Sequence, residues 1–206
     1  MRIFPGRFSK SEQIEILDAI VAGLEAAPLF VPRMPRTGKA FSVRMSNFGS
    51  LGWVSDQQNG YRYQENHPET GKPWPEIPKI LLDLWSELTD FPAPPEACLV
   101  NYYTQGAKMG LHQDKDEADF DAPVVSVSLG DRARFRLGGT TRKDKTSSFD
   151  LTSGDALILE KQSRLAFHGI DRIYPNSSTL LSNYPQFEDG GRINLTMRRV
   201  TKPLWS

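Results

Sequence analysis

Ile14, Leu17, Ile20, Val21 and Leu24 recur three or four residues apart, the spacing of one face of an α-helix. Ser9-Lys10-Ser11-Glu12, just ahead of them, has the form of a capping box, in which serine and glutamate satisfy free N–H groups at the helix start. Together they predict an amphipathic helix over about 10–26, ended by Pro28 and Pro32. A second stripe, Ile80, Leu81, Leu84, Trp85 and Leu88, predicts a helix over about 78–89, stopped by Pro92, Pro94 and Pro95. Between the helices the pattern breaks into short runs, 41–45, 51–54 and 61–63, parted by glycine and asparagine, which predict short strands. Lys72-Pro73-Trp74-Pro75-Glu76-Ile77-Pro78 holds too much proline for regular structure. Beyond Pro95 the period becomes two: 98–103, 109–112, 124–129, 134–137, 148–151, 156–159, 164–167 and 192–199 read as strands separated by Gly, Asp, Ser and Asn. The expectation is an α+β chain, mainly β, with two antiparallel sheets packed as a jelly roll or related barrel and the helices as a cover. No linker or repeat divides it, so a single domain over 1–206 is expected.

A chain of 206 residues can bury a real core without covalent staples. Lys plus Arg and Asp plus Glu number 25 each, so no overall charge draws it to polyanions or membranes, and nucleic-acid contact must come from a local patch. The densest basic stretch is Arg132, Arg134, Arg136, Arg142, Lys143 and Lys145, which reads either as a strand edge protected by charge or as a phosphate-contacting rim. Cys98 is the only cysteine, which excludes an intramolecular disulfide and a cysteine-based zinc site and fits a reducing compartment. No run of about 18 apolar residues occurs, so a cytoplasmic, non-membrane protein is expected, as a monomer.

The candidate chemistry centres on Leu111-His112-Gln113-Asp114-Lys115-Asp116 and the distant His168. From Leu111 to Asp114 the alternation of a strand sends His112 and Asp114 to the same face, because side chains repeat with period two, and Asp116 joins them if the strand continues. Two imidazoles and one carboxylate form the facial triad of non-haem Fe(II) oxygenases, which leaves positions open on the metal. A lone His-x-Asp arises by chance in many chains, so the second histidine matters. His67, beside Pro68, reads as a surface residue. Arg192, Asn194, Thr196 and Arg198 share one strand face, where a guanidinium could grip a dicarboxylate cosubstrate in bidentate fashion. The plainer account is a solvated polar face. Asn101 and Tyr103 pose the same choice, and Trp53 and Tyr61 are by pattern ordinary β-rich aromatics.

Taken together, Asn101-Tyr102-Tyr103, Leu111-His112-Gln113-Asp114-Lys115-Asp116-Glu117, Val125-Ser126-Val127-Ser128-Leu129-Gly130, Ser163-Arg164 with His168-Gly169-Ile170, and Arg192 to Arg198 closely resemble the AlkB family, nearest to its bacterial type. The resemblance spans about 45–199. It implies a double-stranded β-helix with helices outside, a nucleotide-recognition lid within about 1–95 and the dioxygenase core over about 96–206. It implies Fe(II), with 2-oxoglutarate and O2 as cosubstrates. Iron ligands would be His112, Asp114 and His168, and 2-oxoglutarate contacts Asn101, Tyr103, Arg192, Asn194 and Arg198. Trp53 would stack on the substrate base, Tyr61 would contact phosphate, Asp116 would read the damaged base as a further catalytic-site residue, and Arg142 would assist at the mouth. Leu159 stands where the family pattern carries a tryptophan. The implied reaction is oxidative removal of N-alkyl groups from 1-methyladenine or 3-methylcytosine in single- or double-stranded DNA, possibly RNA, with release of formaldehyde, succinate and CO2. The rivals are the same chemistry on methylated tRNA or another non-DNA substrate, and a nucleic-acid-binding barrel without turnover.

Overall fold

In the computed structural model, which describes residues 1–187 and 190–203, Ser9 caps the first helix as its sequence predicts. The Ser9 hydroxyl accepts from the Glu12 N–H, and the Glu12 carboxylate accepts from the Ser9 N–H. The helix α1 (Lys10–Leu24) buries Ile16, Leu17, Ile20 and Leu24, and α2 (Lys79–Leu88) buries Leu81, Leu84, Trp85 and Leu88. Burying each such side chain is worth about 1.5–3 kcal/mol. What they pack against is the outer face of a six-stranded antiparallel sheet, through Cys98, Val100 and Tyr102, Val125, Val127 and Leu129, and Ile193, Leu195 and Met197.

That sheet has the order β1 (Arg2–Phe4), β10 (Ala156–Leu159), β7 (Val124–Gly130), β12 (Arg192–Arg198), β5 (Ala97–Tyr103), β2 (Arg44–Gly49). A four-stranded sheet, β6 (Met109–His112), β11 (His168–Ile173), β8 (Ala133–Leu137), β9 (Ser147–Leu151), faces it, and β3 (Gly52–Asp56) with β4 (Gly60–Gln64) forms a separate hairpin. This is the expected mainly β fold, two antiparallel sheets with helices outside. Two strands from the first 95 residues, β1 and β2, complete the large sheet at its two edges.

Three sequence expectations need correction. The run 164–167 is no strand: residues Lys161–Ser163 form a 3-10 turn, and the strand begins at His168 instead of ending before it. The β6 strand stops at His112, so Asp114 and Asp116 lie in the loop that follows. His67 is a buried structural residue, 1% exposed. Its Nε2–H donates to the Pro28 carbonyl at 2.8 Å while Nδ1 accepts from the N–H groups of Glu69 and Thr70 at 3.1 Å. Phe30 and Trp74 pack edge-on to its ring.

Gly169 sets how closely β6 and β11, which carry His112 and His168, approach. A Cβ there would lie 2.5 Å from the Met109 carbonyl oxygen and 3.0 Å from Gly110, both backbone. We expect Gly169→Ala to push β6 away from β11, costing about 1–3 kcal/mol by overpacking and weakening metal affinity. Thermal melting and a metal titration check both effects, and an unaltered affinity would show that strand spacing does not set the site.

Candidate metal centre and its cavity

The pairing of β11 with β6 places His168 directly opposite His112, with ring centroids 4.5 Å apart. Asp114 completes a group whose ligand atoms all lie within 4.8 Å of one another. Its two carboxylate oxygens each stand 3.6 Å from an imidazole Nε2, Oδ1 from His112 and Oδ2 from His168. Both Nδ1 atoms face carbonyls, that of Gly110 at 2.9 Å and that of Ala166 at 3.0 Å. A carbonyl can only accept, so each Nδ1 carries the proton and each Nε2 offers its lone pair to the shared point. Burial pulls the His168 imidazole down to about 4, against the opposing pull of Asp114, so it is neutral at neutral pH. Phe135 stacks on the same ring at 5.8 Å.

Burial works against the Asp114 carboxylate, but Arg198, His168, His112 and Arg164 together outweigh it and hold the group well below the usual carboxylate range. The Arg198 Nη2 donates to Asp114 Oδ1 at 2.7 Å. The cluster is therefore two imidazoles, each with its Nε2 toward the shared point, and a permanent anion, a donor set that suits a divalent metal with open positions.

The centre opens into a cavity of about 610 Å³ between the two sheets. The polar alternation of β12 is not a solvated face: Arg192 is 1% exposed, Thr196 6% and Arg198 7%, and all three line the cavity with Asn194. Across the ladder Arg192 pairs with Tyr103 and Asn194 with Asn101, so four predicted residues form one patch on two neighbouring strands. Asn194 Nδ2 donates to Ser126 Oγ at 2.7 Å, and its Oδ1 accepts from Thr196. Burial pushes the Tyr103 phenol up to about 12. Burial also lowers the Arg192 guanidinium to about 10, which leaves it a cation at neutral pH. Its Nη2 donates to Ser128 Oγ at 2.8 Å, yet the buried Nε and Nη1 have no hydrogen-bond partner among the described residues. A buried cation with two idle donors lacks an anion, and a carboxylate-bearing cosubstrate fits it.

At the mouth Trp53 and Tyr61 form a stacked pair, centroids 5.6 Å apart and planes 21° from parallel. The Trp53 indole N–H donates to Asp116 Oδ2 at 2.9 Å, so these two predicted residues meet each other. Arg142 lies over the Phe167 ring at 5.0 Å, exposed, on the rim. Leu159 lines the apolar end of the cavity. Sequence reasoning gave no individual role to Tyr63, or to Ser128 and Glu117, which it quoted only within longer motifs; what each touches depends on distant segments that enclose it.

Comparisons with known proteins agree with this chemistry. The family model for the 2OG-Fe(II) oxygenase superfamily matches residues 1–198. The chain is 54% identical over 198 residues to the alpha-ketoglutarate-dependent dioxygenase AlkB homolog of Caulobacter vibrioides, covering 96% of this chain and 86% of that one. It is 41% identical over 171 residues to the alpha-ketoglutarate-dependent dioxygenase AlkB of Escherichia coli K12, covering 80% and 74%. This chain belongs to the AlkB family. A solved structure of OsALKBH1 is similar too, with a TM-score of 0.79 at 32% identity over 96% of this chain and 95% of that one. As an AlkB-family member it is an Fe(II)- and 2-oxoglutarate-dependent dioxygenase, and the donor set and the idle Arg192 cation described above fit both groups. Among the described residues of this AlkB-family chain no helix is long and apolar enough to cross a membrane.

Proposed function

We propose that this enzyme removes N-alkyl groups oxidatively from damaged nucleic-acid bases, 1-methyladenine and 3-methylcytosine in DNA first among them. The observation that carries the reading is the stacked Trp53–Tyr61 platform at the mouth of a cavity that ends on His112, Asp114 and His168. A flat aromatic surface over a metal centre suits a base swung out of its stack, where base–aromatic stacking is worth about 1–3 kcal/mol.

Iron, when bound with 2-oxoglutarate and O2, would supply the oxidising power, leaving succinate and CO2. His112 and His168 hold the metal through Nε2, and Asp114 supplies the anion. Arg192 would hold the distal carboxylate of 2-oxoglutarate, with Asn101, Tyr103 and Asn194 beside it, and Arg198 would support the metal-proximal end. Trp53 seats the base, while Asp116 faces its exocyclic amine and favours the positive charge that ring methylation creates. Tyr61 and Arg142 meet backbone phosphate. Hydroxylation of the N-methyl carbon gives a hemiaminal, which falls apart to formaldehyde and the repaired base. Because the target sits on the pairing edge, the base must be flipped or single-stranded, at a cost of a few kcal/mol that is least where the lesion already blocks pairing.

The test is to load the protein anaerobically with Fe(II) and 2-oxoglutarate, then admit oxygen with a 3-methylcytosine single-stranded DNA oligonucleotide. Formaldehyde and succinate are expected in equal amounts. Succinate without formaldehyde would overturn the base as substrate, and faster turnover of the matched methylated RNA strand would overturn the choice of DNA.

A further inference from the structure

Behind the metal ligands lies a buried network that the reaction as described does not use. Glu117 has a side chain with 0% exposure, enclosed by the guanidinium groups of Arg164 and Arg198. Arg164 is fully committed to the ligand loop: Nη1 donates to the Asp114 carbonyl at 2.6 Å, Nε to that of Ala122 at 2.7 Å, and Nη2 to Glu117 at 3.2 Å. Arg198 bridges. Its Nη2 meets Asp114 Oδ1 at 2.7 Å, and its Nη1 meets Glu117 Oε1 at 3.1 Å and the Tyr63 hydroxyl at 3.0 Å. Tyr63 comes from the β3–β4 hairpin, and its hydroxyl donates to Glu117 Oε1 at 2.5 Å.

We propose that Tyr63 and Glu117 are positioning residues that fasten the β3–β4 hairpin to Arg198, so that the hairpin seating the base and the strand holding 2-oxoglutarate respond as one unit. The proposal rests on the reading of Arg198 as the support of the metal-proximal end of the cosubstrate.

Three features carry it. A guanidinium is rigid and planar, so Arg198 cannot turn its Nη1 end without disturbing the Nη2 end on the metal ligand. The Tyr63 hydroxyl uses both its capacities, giving its proton to Glu117 and accepting from Arg198, and burial keeps its phenol protonated by raising it above the ordinary range. In the hairpin ladder Tyr63 stands directly opposite Trp53, so whatever presses on the indole presses on the residue that holds Arg198. Trp53 and Tyr63 thus dock the two hairpin strands onto consecutive residues, Asp116 and Glu117, just beyond the metal ligand Asp114. Two carboxylates, Asp114 and Glu117, are balanced inside by Arg164 and Arg198. A buried set balanced in this way is rigid while complete and costly to leave half-satisfied.

The experiment is hydrogen–deuterium exchange on the full chain and on Tyr63→Phe, each with and without Mn(II) plus 2-oxoglutarate, a pair that fills the site without turnover. In the native chain the pair should slow exchange both in β12 and in residues 52–64. Tyr63→Phe keeps the ring volume and should keep the slowing in β12, while the ligand-dependent slowing of the hairpin falls by about fivefold for each of the two hydrogen bonds that the hydroxyl makes. A purely structural role would raise hairpin exchange equally with and without the ligands. An undiminished hairpin response in the variant would therefore overturn the proposal. Absence of slowing in β12 of the native chain would overturn it together with the cosubstrate reading. Should Tyr63→Phe fail to fold, Tyr63→Met, which also lacks the hydroxyl, carries the same test, and an undiminished hairpin response there would likewise overturn it. With turnover, succinate released per formaldehyde should rise by about fivefold in either variant.

Discussion

Asp114→Ala is expected to reduce turnover to background and to release Fe(II) on dialysis. The site then keeps two imidazoles and no anion, which no longer favours a hard divalent ion over water. The same change should lower the stability of the metal-free protein by about 3–5 kcal/mol, because Arg198 would lose the partner of its Nη2 inside the fold. Asp114→Asn separates the two effects. The amide keeps an acceptor for Arg198 and so recovers part of the stability, but it lacks the charge and should not recover the metal. Metal content after dialysis and denaturant melts measure the two effects independently. Retained iron in Asp114→Ala would mean that the ligands have been misassigned.

Arg192→Lys should raise the KM for 2-oxoglutarate by about 10- to 150-fold, the fold-change of a charge-assisted hydrogen bond worth about 1.5–3 kcal/mol. The charge is nominally unchanged, yet two things are lost. A lysine presents one point donor where Arg192 presents a fork with Nε and Nη1 both idle. In a site that already pulls a guanidinium down to about 10, an ammonium would be pulled toward its neutral form. The defect should therefore shrink as pH falls and the lysine gains its proton, a trend the native arginine lacks. An unchanged KM in the lysine variant would place the carboxylate partner elsewhere.

Much of this arrangement was written in the periodicity of the chain. The two helical stripes and most of the strands stand within a few residues of where the pattern put them, since burial on one face leaves a repeat that needs no neighbour to interpret. What failed depended on distant residues. Arg164-Leu165-Ala166-Phe167 alternates like a strand, whereas the true strand contains Gly169, Asp171 and Arg172, whose hydrophilic character hides it. The burial of β12 was invisible because a polar face lining a cavity alternates just as a polar face in water does. His67 looked exposed beside its proline until Pro28, Phe30 and Trp74 closed over it. Glu117 sits in an acid-rich stretch, and two arginines from far along the chain enclose it.

The division of labour between the sheets has one more consequence. His112 and His168 hang from the four-stranded wall, while Arg192, Asn194 and Arg198 hang from the six-stranded one. A metal ion alone is anchored to one wall. Under the proposed reading, a dicarboxylate held at the metal centre and by Arg192 would be a tie rod through both, stabilising the closed sandwich by mass action. Sheets stacked face to face keep a spacing of about 10 Å, so the gap is a fixed gauge for the length of the rod. Discrimination among dicarboxylates one carbon shorter or longer would then depend on the thickness of the fold as well as on Arg192.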